Sequence, residues 1–381
     1  MEAYLALADG HVFEGRAVGA EGEAYGELVF NTSMTGYQEI LTDPSYAGQI
    51  VTMTMPHIGN TGVNSQDVES RSGRPHVSGF IVRDPCDEPS NHRSERTLAE
   101  YLEESGVVAL GGVDTRRLVR KLRDVGAQNG CLGTGNPDDL VDRARSAPNM
   151  QGLDLVSRVT PAEPYTFSES RGAWAVGFDQ RQPVTSEAQV KRESPFKVVA
   201  LDFGAKRNIL RCLVDVGCEV TAVPASTSAK EILALDPDGI FLSNGPGDPA
   251  AVDYAVKTIE GLVGKRPIFG ICLGHQLLAR ALGAQTYKLK FGHRGINQPV
   301  LDRQTRRVEI TLQNHGFCVD VDSLGKKAQT THHHLNDGTS EGLAVPDAQA
   351  FSVQYHPEAG AGPHDALYLF RRFTDAMLAR S

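Results

Sequence analysis

A single cysteine stands between two glycines in GICLGHQLLARALG, residues 270–283. The apolar residues before it predict a strand and the apolar spacing after it predicts a helix, so Cys272 falls at a strand-to-helix turn. Glycine, nucleophile, glycine is the pattern of a nucleophile elbow, a strained turn that presents its central side chain and needs small neighbours. The helix that starts here directs free N–H groups and its dipole at the sulfur, which favours the thiolate. Cys272 is a candidate nucleophile, and the N–H of Leu273 is a candidate oxyanion-hole donor.

A histidine and a glutamate follow the β-type run in FSVQYHPEAG. Residues two apart on an extended segment point the same way, so Glu358 can accept a hydrogen bond from His356, and Pro357 stiffens the pair. This yields nucleophile, base and orienting group in the order Cys272, His356, Glu358. Taken singly, the cysteine also fits a small buried apolar residue and the histidine a surface residue. Together they favour nucleophilic catalysis.

The loop LSNGPGDP, residues 242–249, ends another apolar strand. Its glycines and prolines predict a tight loop whose backbone N–H groups could face an oxygen anion and complete an oxyanion hole. Considered alone, the loop is better explained as a turn before a helix.

The elements that position these residues alternate between strand and helix after Phe196, beginning with KVVALDFG and AKRNILRCLVDVG. Repeated βα units of this length predict an α/β domain with a mainly parallel, doubly wound sheet and helices on both faces. Such sheets carry their sites at the carboxyl ends of strands. The elbow and the loop both fall at such ends.

The preceding residues show a different pattern. Short β-type runs broken by Gly, Asn and Pro, followed by amphipathic helices at TLAEYLEESG and TRRLVRKLRDVGAQNG, predict an N-terminal α+β domain over residues 1–150. Residues 151–195 are polar and contain several prolines, which predicts a linker. The second domain is therefore expected over residues 196–381.

Composition narrows the class of protein. A chain of 381 residues with 40% hydrophobic residues can bury two cores. The formal net charge of -9, with lysines and arginines scattered, argues against nucleic acid as a partner. No apolar run is long enough to span a membrane and the first residues lack the pattern of a signal peptide, so we expect a cytoplasmic protein with no membrane partner. The six cysteines are widely spread and are expected to be reduced thiols.

These motifs together resemble those of a triad-type, class I glutamine amidotransferase. The chain as a whole is similar to the family of carbamoyl-phosphate synthase small subunits, over nearly its full length. The C-terminal resemblance rests on LDFGAKRNILR, LSNGPGDP, GICLGHQLLA, KFGHRGINQPV, QNHGF and QYHPEA, and the N-terminal one on FNTSMTGYQEILTDPSY, MPHIGN, GVDTRRLVRKLR and GAQNGC. The first set is typical of the class, and the second of this one family.

The resemblance implies that Cys272 attacks the side-chain amide of glutamine, that His356 transfers the proton and that Glu358 orients His356. It also implies oxyanion-hole amides at Gly245 and Leu273. The implied contacts to L-glutamine are Ser45, Gly245, Gly247, Leu273, Gln276, Asn314, Gly316 and Phe317. Because Ser45 belongs to the other domain, the pocket is expected at the domain interface.

The resemblance also implies a partner. No G-x-x-x-x-G-K-[ST] loop occurs here, so we expect no cofactor in this chain, and ATP and Mg²⁺ on a large subunit that uses the ammonia to make carbamoyl phosphate. This chain and the large subunit would form a heterodimer. Whether several heterodimers assemble into a higher oligomer is left open by the resemblance.

Two other functions remain open from the sequence. A cysteine hydrolase of another class would share the elbow and the base, and a non-catalytic docking subunit would need neither. No metal site is expected: His332, His333 and His334 are consecutive, and three consecutive side chains cannot converge on one ion. Two residues depart from the family pattern, since His334 stands where asparagine is usual and Gln298 where histidine is common.

Overall fold

The computed structural model describes residues 1–172 and 194–380. Their contacts form two compact units, Met1–Leu155 with Leu289–Gly295, and Val156–Lys288 with Ile296–Ser381. The second unit thus starts earlier than the expected boundary at residue 196, and a short segment of the C-terminal half belongs to the first unit. Of the expected linker, residues 173–193 lie outside the described residues.

The earlier start of the second unit has a packing reason. Val156 is fully buried in an apolar cluster with Val199 and Leu201. The strand Tyr165–Phe167 pairs with residues 220–222 and adds an edge to the second sheet. These few apolar residues lie in a mostly polar segment, so the sequence did not indicate that they belong to the second unit.

The first unit is built on a closed barrel with strand order β1-β2-β8-β6-β4-β3-β9. The strands of the first unit are β1 Glu2–Leu7, β2 Val12–Ala17, β3 Glu23–Asn31, β4 Gln49–Met53, β5 His57–Ile58, β6 Gly79–Ile81, β7 Asp84–Pro85, β8 Ala109–Gly111 and β9 Gln128–Gly133. β5 and β7 pair with each other in a separate two-stranded sheet. The α-helices of the first unit are Tyr37–Thr42, Leu98–Glu104, Thr115–Val125 and Pro137–Ser146. The helix starts follow the sequence: Thr97 forms a capping box with Glu100, and Asp114 accepts from the N–H of Arg117.

The second unit contains a ten-stranded sheet with strand order β10-β12-β11-β13-β14-β19-β18-β17-β15-β16. Its strands are β10 Tyr165–Phe167, β11 Phe196–Asp202, β12 Cys218–Pro224, β13 Gly239–Leu242, β14 Ile268–Ile271, β15 Gln285–Asp302, β16 Val308–Asp320, β17 Gln329–His334, β18 Ser340–Val345 and β19 Ala350–Val353. Its α-helices are Val156–Val159, Arg207–Asp215, Ala229–Ala234, Asp253–Leu262, Leu273–Ala281 and Tyr368–Leu378.

Strands β12, β11, β13, β14 and β19 are parallel neighbours. Alternate residues of β11 enter two different apolar clusters: Val198 and Ala200 pack with the helices Arg207–Asp215 and Tyr368–Leu378, and Val199 and Leu201 with the helices on the other face. The expected α/β, doubly wound sheet is thereby confirmed. Within the described residues no helix is both long and apolar enough to cross a membrane.

The sheet continues beyond β19 as antiparallel strands, which the βα rhythm did not predict. β18 pairs antiparallel with β19, and β17 pairs antiparallel with both β18 and β15. This extension matters for the site because β16 carries the segment QNHGF.

Candidate active site

Cys272 lies at the turn between β14 and the helix Leu273–Ala281. Its φ of 53° and ψ of -105° form a backbone conformation that residues other than glycine rarely adopt. The N–H of Cys272 donates to the carbonyl of Val353, which ties the turn to the end of β19. The strained turn of a nucleophile elbow is therefore present, but the thiol is only 3% exposed and donates to the carbonyl of Asn314 at 3.5 Å.

The two flanking glycines are required by close backbone approaches. A Cβ on Gly274 would lie 2.2 Å from the carbonyl oxygen of Leu242, and one on Gly270 would lie 2.9 Å from the carbonyl oxygen of Gly274. The N–H of Gly274 donates to the carbonyl of Ser243 at 2.9 Å. The glycines thus let the elbow pack directly on the end of β13.

His356 and Glu358 form the expected hydrogen-bonded pair. The Nδ1 of His356 lies 2.7 Å from Oε1 of Glu358, and both residues are almost completely buried. The Nε2 of His356 has no hydrogen-bond partner among the described residues, which leaves this nitrogen available to a reacting group. The backbone N–H of His356 donates to Leu312 on β16 and fixes the position of the pair.

Electrostatics link the three side chains. Burial alone would lower the pKa of His356, but the charge of Glu358 and the interaction with the Cys272 thiol outweigh it and raise this pKa to about 10. Burial alone would raise the pKa of Glu358, but Lys206 and His356 outweigh it and lower this pKa to about 2. At neutral pH the site therefore holds an imidazolium beside the sulfur of Cys272 and a carboxylate behind the imidazolium.

Lys206 is a fourth member of the site and was not among the residues expected there. Its Nζ lies 2.7 Å from the Oε1 of Glu358, and its side chain is 4% exposed. The N–H of Lys206 donates to the side chain of Asn244, which joins the loops after β11 and β13. The sequence signal was present, because LDFGAKRN ends a parallel strand where such sheets place their sites.

Gly245 and Leu273, the residues of the expected oxyanion hole, lie close to each other. A Cβ on Gly245 would lie 2.9 Å from the side chain of Leu273 and 2.3 Å from the carbonyl oxygen of Phe203. Neither the N–H of Gly245 nor that of Leu273 donates a hydrogen bond to any residue in the described part of the chain. Both donors are thus available to a ligand. Gly247, in the same loop, has a φ of 92°, which favours glycine.

The other expected glutamine contacts of the second unit surround the elbow helix and β16. The amide nitrogen of Gln276 donates to the carbonyl of Phe317 at 2.9 Å and to the side chain of Gln354 at 3.0 Å. Asn314 accepts from the Cys272 thiol, and Gly316 lies half-buried between Asn314 and Phe317 on β16. Gln354 is an addition to the site that the sequence analysis missed.

Ser45 lies in the first unit. It belongs to the short 3-10 helix Pro44–Tyr46, is 8% exposed, and its N–H donates to the side chain of Asp43. Its contact with glutamine, and the pocket between the domains, stay predictions.

The two departures from the family pattern are partners of each other. The Nε2 of His334 lies 3.1 Å from Oε1 of Gln298, and the N–H of Asn336 donates to Nδ1 of His334. Since Nδ1 accepts, Nε2 carries the proton and donates to Gln298. Their hydrogen bond joins β15 to β17 in the antiparallel part of the sheet.

Comparison with known proteins identifies the family. A profile described as carbamoyl-phosphate synthase small chain, CPSase domain, matches residues 5–132, and one described as glutamine amidotransferase class-I matches residues 199–376. The carbamoyl phosphate synthase small chain of Syntrophotalea carbinolica is 59% identical over 379 residues, which cover 99% of this chain and 98% of that protein. The chain belongs to the carbamoyl-phosphate synthase small chain family.

Other members of the carbamoyl-phosphate synthase small chain family also match over nearly their full length. The small chain of Salmonella typhimurium is 53% identical over 98% of this chain and 96% of its own length, and that of Escherichia coli O6:H1 is 53% identical over 97% and 96%. The resemblance to this family that the motifs indicated is therefore confirmed.

Proposed function

We propose that the chain is the glutamine-hydrolysing subunit of a carbamoyl-phosphate synthase, with Cys272, His356 and Glu358 as its catalytic residues. The observation that carries the proposal is the charge arrangement at the elbow: a thiol in a strained strand-to-helix turn, interacting with an imidazole that Glu358 holds at 2.7 Å. Membership of the small chain family supplies the substrate class.

The first half of the reaction forms a thioester. The sulfur of Cys272 reacts as the thiolate, with its proton on Nε2 of His356. It attacks the side-chain amide carbon of glutamine, and the carbonyl oxygen takes up the negative charge. The N–H groups of Gly245 and Leu273 stabilise that oxygen. His356 then gives its Nε2 proton to the departing nitrogen, the C–N bond breaks and ammonia leaves.

The second half releases glutamate. A water molecule gives a proton to the now neutral His356 and attacks the thioester carbon. The tetrahedral intermediate collapses, the C–S bond breaks, and the electron pair returns to the sulfur beside the imidazolium. Glu358 keeps its charge throughout, because a carboxyl with a pKa of about 2 is ionised at neutral pH.

Glutamine binding is assigned to residues around the elbow. Gln276, Gly247, Asn314, Gly316 and Phe317 contact the bound glutamine in this proposal, and Ser45 joins them from the first unit. Because two carbonyl groups hold both amide hydrogens of Gln276, its own side-chain oxygen is left to accept from the substrate.

The partner in this proposal is a large subunit. It binds ATP and Mg²⁺ and combines the ammonia with bicarbonate to give carbamoyl phosphate, while the present chain needs no cofactor. The complex is expected in the cytoplasm.

The test compares two nitrogen sources in the complex with the large subunit. Cys272→Ser should lower glutamate release from glutamine by at least about 10³-fold, because a nucleophile is removed. Carbamoyl phosphate synthesis from ammonia should be unchanged. Cys86→Ser, which alters a half-buried thiol of the first unit, is the matched control and should keep both activities.

Each of the following results would reject the proposal. Loss of both activities in Cys272→Ser would indicate a structural role for the thiol. A chain that cleaves peptides, releases no glutamate and is not labelled at Cys272 by a glutamine-derived electrophile would be a cysteine hydrolase of another class. Normal glutamate release by Cys272→Ser would show that Cys272 is not the nucleophile. Absence of glutamate release from the parent complex would favour a docking subunit.

A further inference from the structure

Three ligating side chains that are not part of the triad meet in the antiparallel extension of the sheet. Asp302 is the last residue of β15, Glu309 is the second residue of β16 and His332 lies on β17. In the sheet β15 lies between β17 and β16. Asp302 and His332 face each other directly across the strand pair. One ligand atom from each of the three residues lies within 4.8 Å of the other two.

The two carboxylates are buried without a cationic partner. Asp302 is 6% exposed and Glu309 is 7% exposed. Neither forms an ion pair with a lysine or an arginine in residues 1–172 or 194–380; the guanidinium of Arg372 lies instead over the ring of Phe351. Asp302 accepts hydrogen bonds from the N–H groups of Gln304 and Thr305 and from the hydroxyl of Thr305. Burial raises the pKa of Glu309 to about 7. A bound cation would compensate both carboxylates.

His332 presents a free nitrogen in the same place. It is 1% exposed, its Nδ1 lies 2.8 Å from the hydroxyl of Thr331, and its Nε2 has no hydrogen-bond partner among the described residues. When Nδ1 donates to that hydroxyl, Nε2 carries a lone pair and no proton. This is the state in which histidine binds metals, with its second nitrogen held by a hydrogen bond.

We propose that Asp302, Glu309 and His332 form a binding site for one divalent transition-metal cation of the Zn²⁺ type. A set of one imidazole and two carboxylates suits Zn²⁺ or Mn²⁺, whereas Ca²⁺ and Mg²⁺ prefer oxygen ligands alone. The hydroxyl of Tyr355 donates to Oε2 of Glu309 at 3.1 Å and orients that carboxylate, as the outer partners of metal ligands do.

The three side chains need to move only a short distance to bind a metal ion. A tetrahedral ion with bonds of about 2.0–2.1 Å needs its ligand atoms roughly 3.3 Å apart, so the three side chains close by up to about 1.5 Å. The bound ion would join the turn between β15 and β16 to β17 and act as a structural clamp. The consecutive histidines do not share the ion: His334 binds Gln298, and only His332 reaches the carboxylates.

Metal binding is measured on the full-length, tag-free chain after dialysis against a chelator. The Cys272→Ala background is used, since a free thiol is itself a zinc ligand. Equilibrium dialysis against Zn²⁺, with metal analysis of the protein, should give one ion per chain, and Mg²⁺ at the same concentration should not compete. Zn²⁺ should also raise the melting temperature.

Variants assign the ion to the site. Glu309→Gln, which keeps the side-chain size, and His332→Ala should each weaken Zn²⁺ binding by at least about tenfold. His333→Ala, a change at the neighbouring half-buried histidine, is the matched control and should bind as the parent does. Absence of stoichiometric binding in the parent, or unchanged affinity in Glu309→Gln with an unaltered metal-free melting temperature, overturns the proposal.

Discussion

Lys206 and Glu358 form a buried ion pair, with Nζ of the lysine 2.7 Å from Oε1 of the glutamate. The same oxygen accepts from Nδ1 of His356 at 2.7 Å. One carboxylate therefore compensates two buried cations. This makes Glu358 more than an orienting group, because the charge state of the whole site depends on it.

Replacing Glu358 should destabilise the protein more than replacing Lys206. Glu358→Gln removes the anion that Lys206 and His356 both contact, and breaking a buried pair in this way costs about 3–5 kcal/mol. Lys206→Met leaves Glu358 paired with His356, so a cost of about 1–3 kcal/mol is expected, as for a lost charge-assisted hydrogen bond. Thermal unfolding of the two variants at pH 7 measures the difference.

The double variant Lys206→Met with Glu358→Gln provides the control. It removes both buried charges of the pair and should be more stable than Glu358→Gln alone. Equal melting temperatures for the two single variants would show that Glu358 does not compensate both cations.

The backbone at Cys272 predicts an unusual response to glycine. A residue with a side chain at φ 53° and ψ -105° stores about 1–3 kcal/mol of strain, which glycine relieves. Cys272→Gly should therefore be more stable than Cys272→Ala by about 1 kcal/mol, although buried glycine is usually the less stable of the two. Paired denaturant unfolding curves of the two inactive variants test this; a higher stability of the alanine variant would mean that the turn is unstrained.

Replacing Gly274 by alanine should destabilise the protein, although Gly274 lies in a helix. On helix propensity alone, alanine at this helical position would stabilise by about 1 kcal/mol. Its Cβ would lie 2.2 Å from the carbonyl oxygen of Leu242, so Gly274→Ala must push the elbow off β13. We expect a destabilisation of about 1–3 kcal/mol together with loss of glutamine hydrolysis. A Gly274→Ala chain that melts at or above the parent temperature and keeps its activity contradicts the close packing.

The sequence predicted the parts of the fold that repeat and the parts of the site that are local. Alternating strands and helices identified the parallel sheet, and Gly270, Cys272 and Gly274 identified the elbow, because each signal lies within a few residues. The pair His356 and Glu358 was equally local. Their hydrogen bond follows from a spacing of two along an extended segment.

What the sequence did not predict depends on pairing between distant segments. Lys206 reaches Glu358 across 152 residues, and the ligating group of Asp302 and His332 forms only through the register of β15 and β17. The sequence of one strand does not indicate which residues of another strand will lie opposite it. The start of the second unit at Val156 was missed for a similar reason, since one buried valine in a polar segment gives no periodic signal.

Gln298 and His334 should be energetically coupled. Their hydrogen bond of 3.1 Å joins a half-buried amide to a buried imidazole. Because each single alanine variant loses the same bond, the double variant should cost less than the sum of the two by about 0.5–1.5 kcal/mol. A double-mutant cycle in urea measures this coupling. Strict additivity would mean that the two residues depart from the family pattern independently.

The pH dependence of stability should reveal the charge on His356. Its pKa is raised to about 10 in the folded protein, above the value of about 6.5 for an unfolded chain. The imidazolium therefore stabilises the fold fully below pH 6.5, and this contribution is lost as the pH rises toward 10. His356→Asn lacks this contribution, so the melting temperature of the parent should exceed that of the variant most at pH 6, with the excess shrinking steadily up to pH 10.

Glu358 does not contribute to this pH dependence. Its pKa is lowered to about 2, so the group titrates only in strong acid. A difference in melting temperature that stays constant from pH 6 to 10, or grows, would place a neutral imidazole beside the thiol.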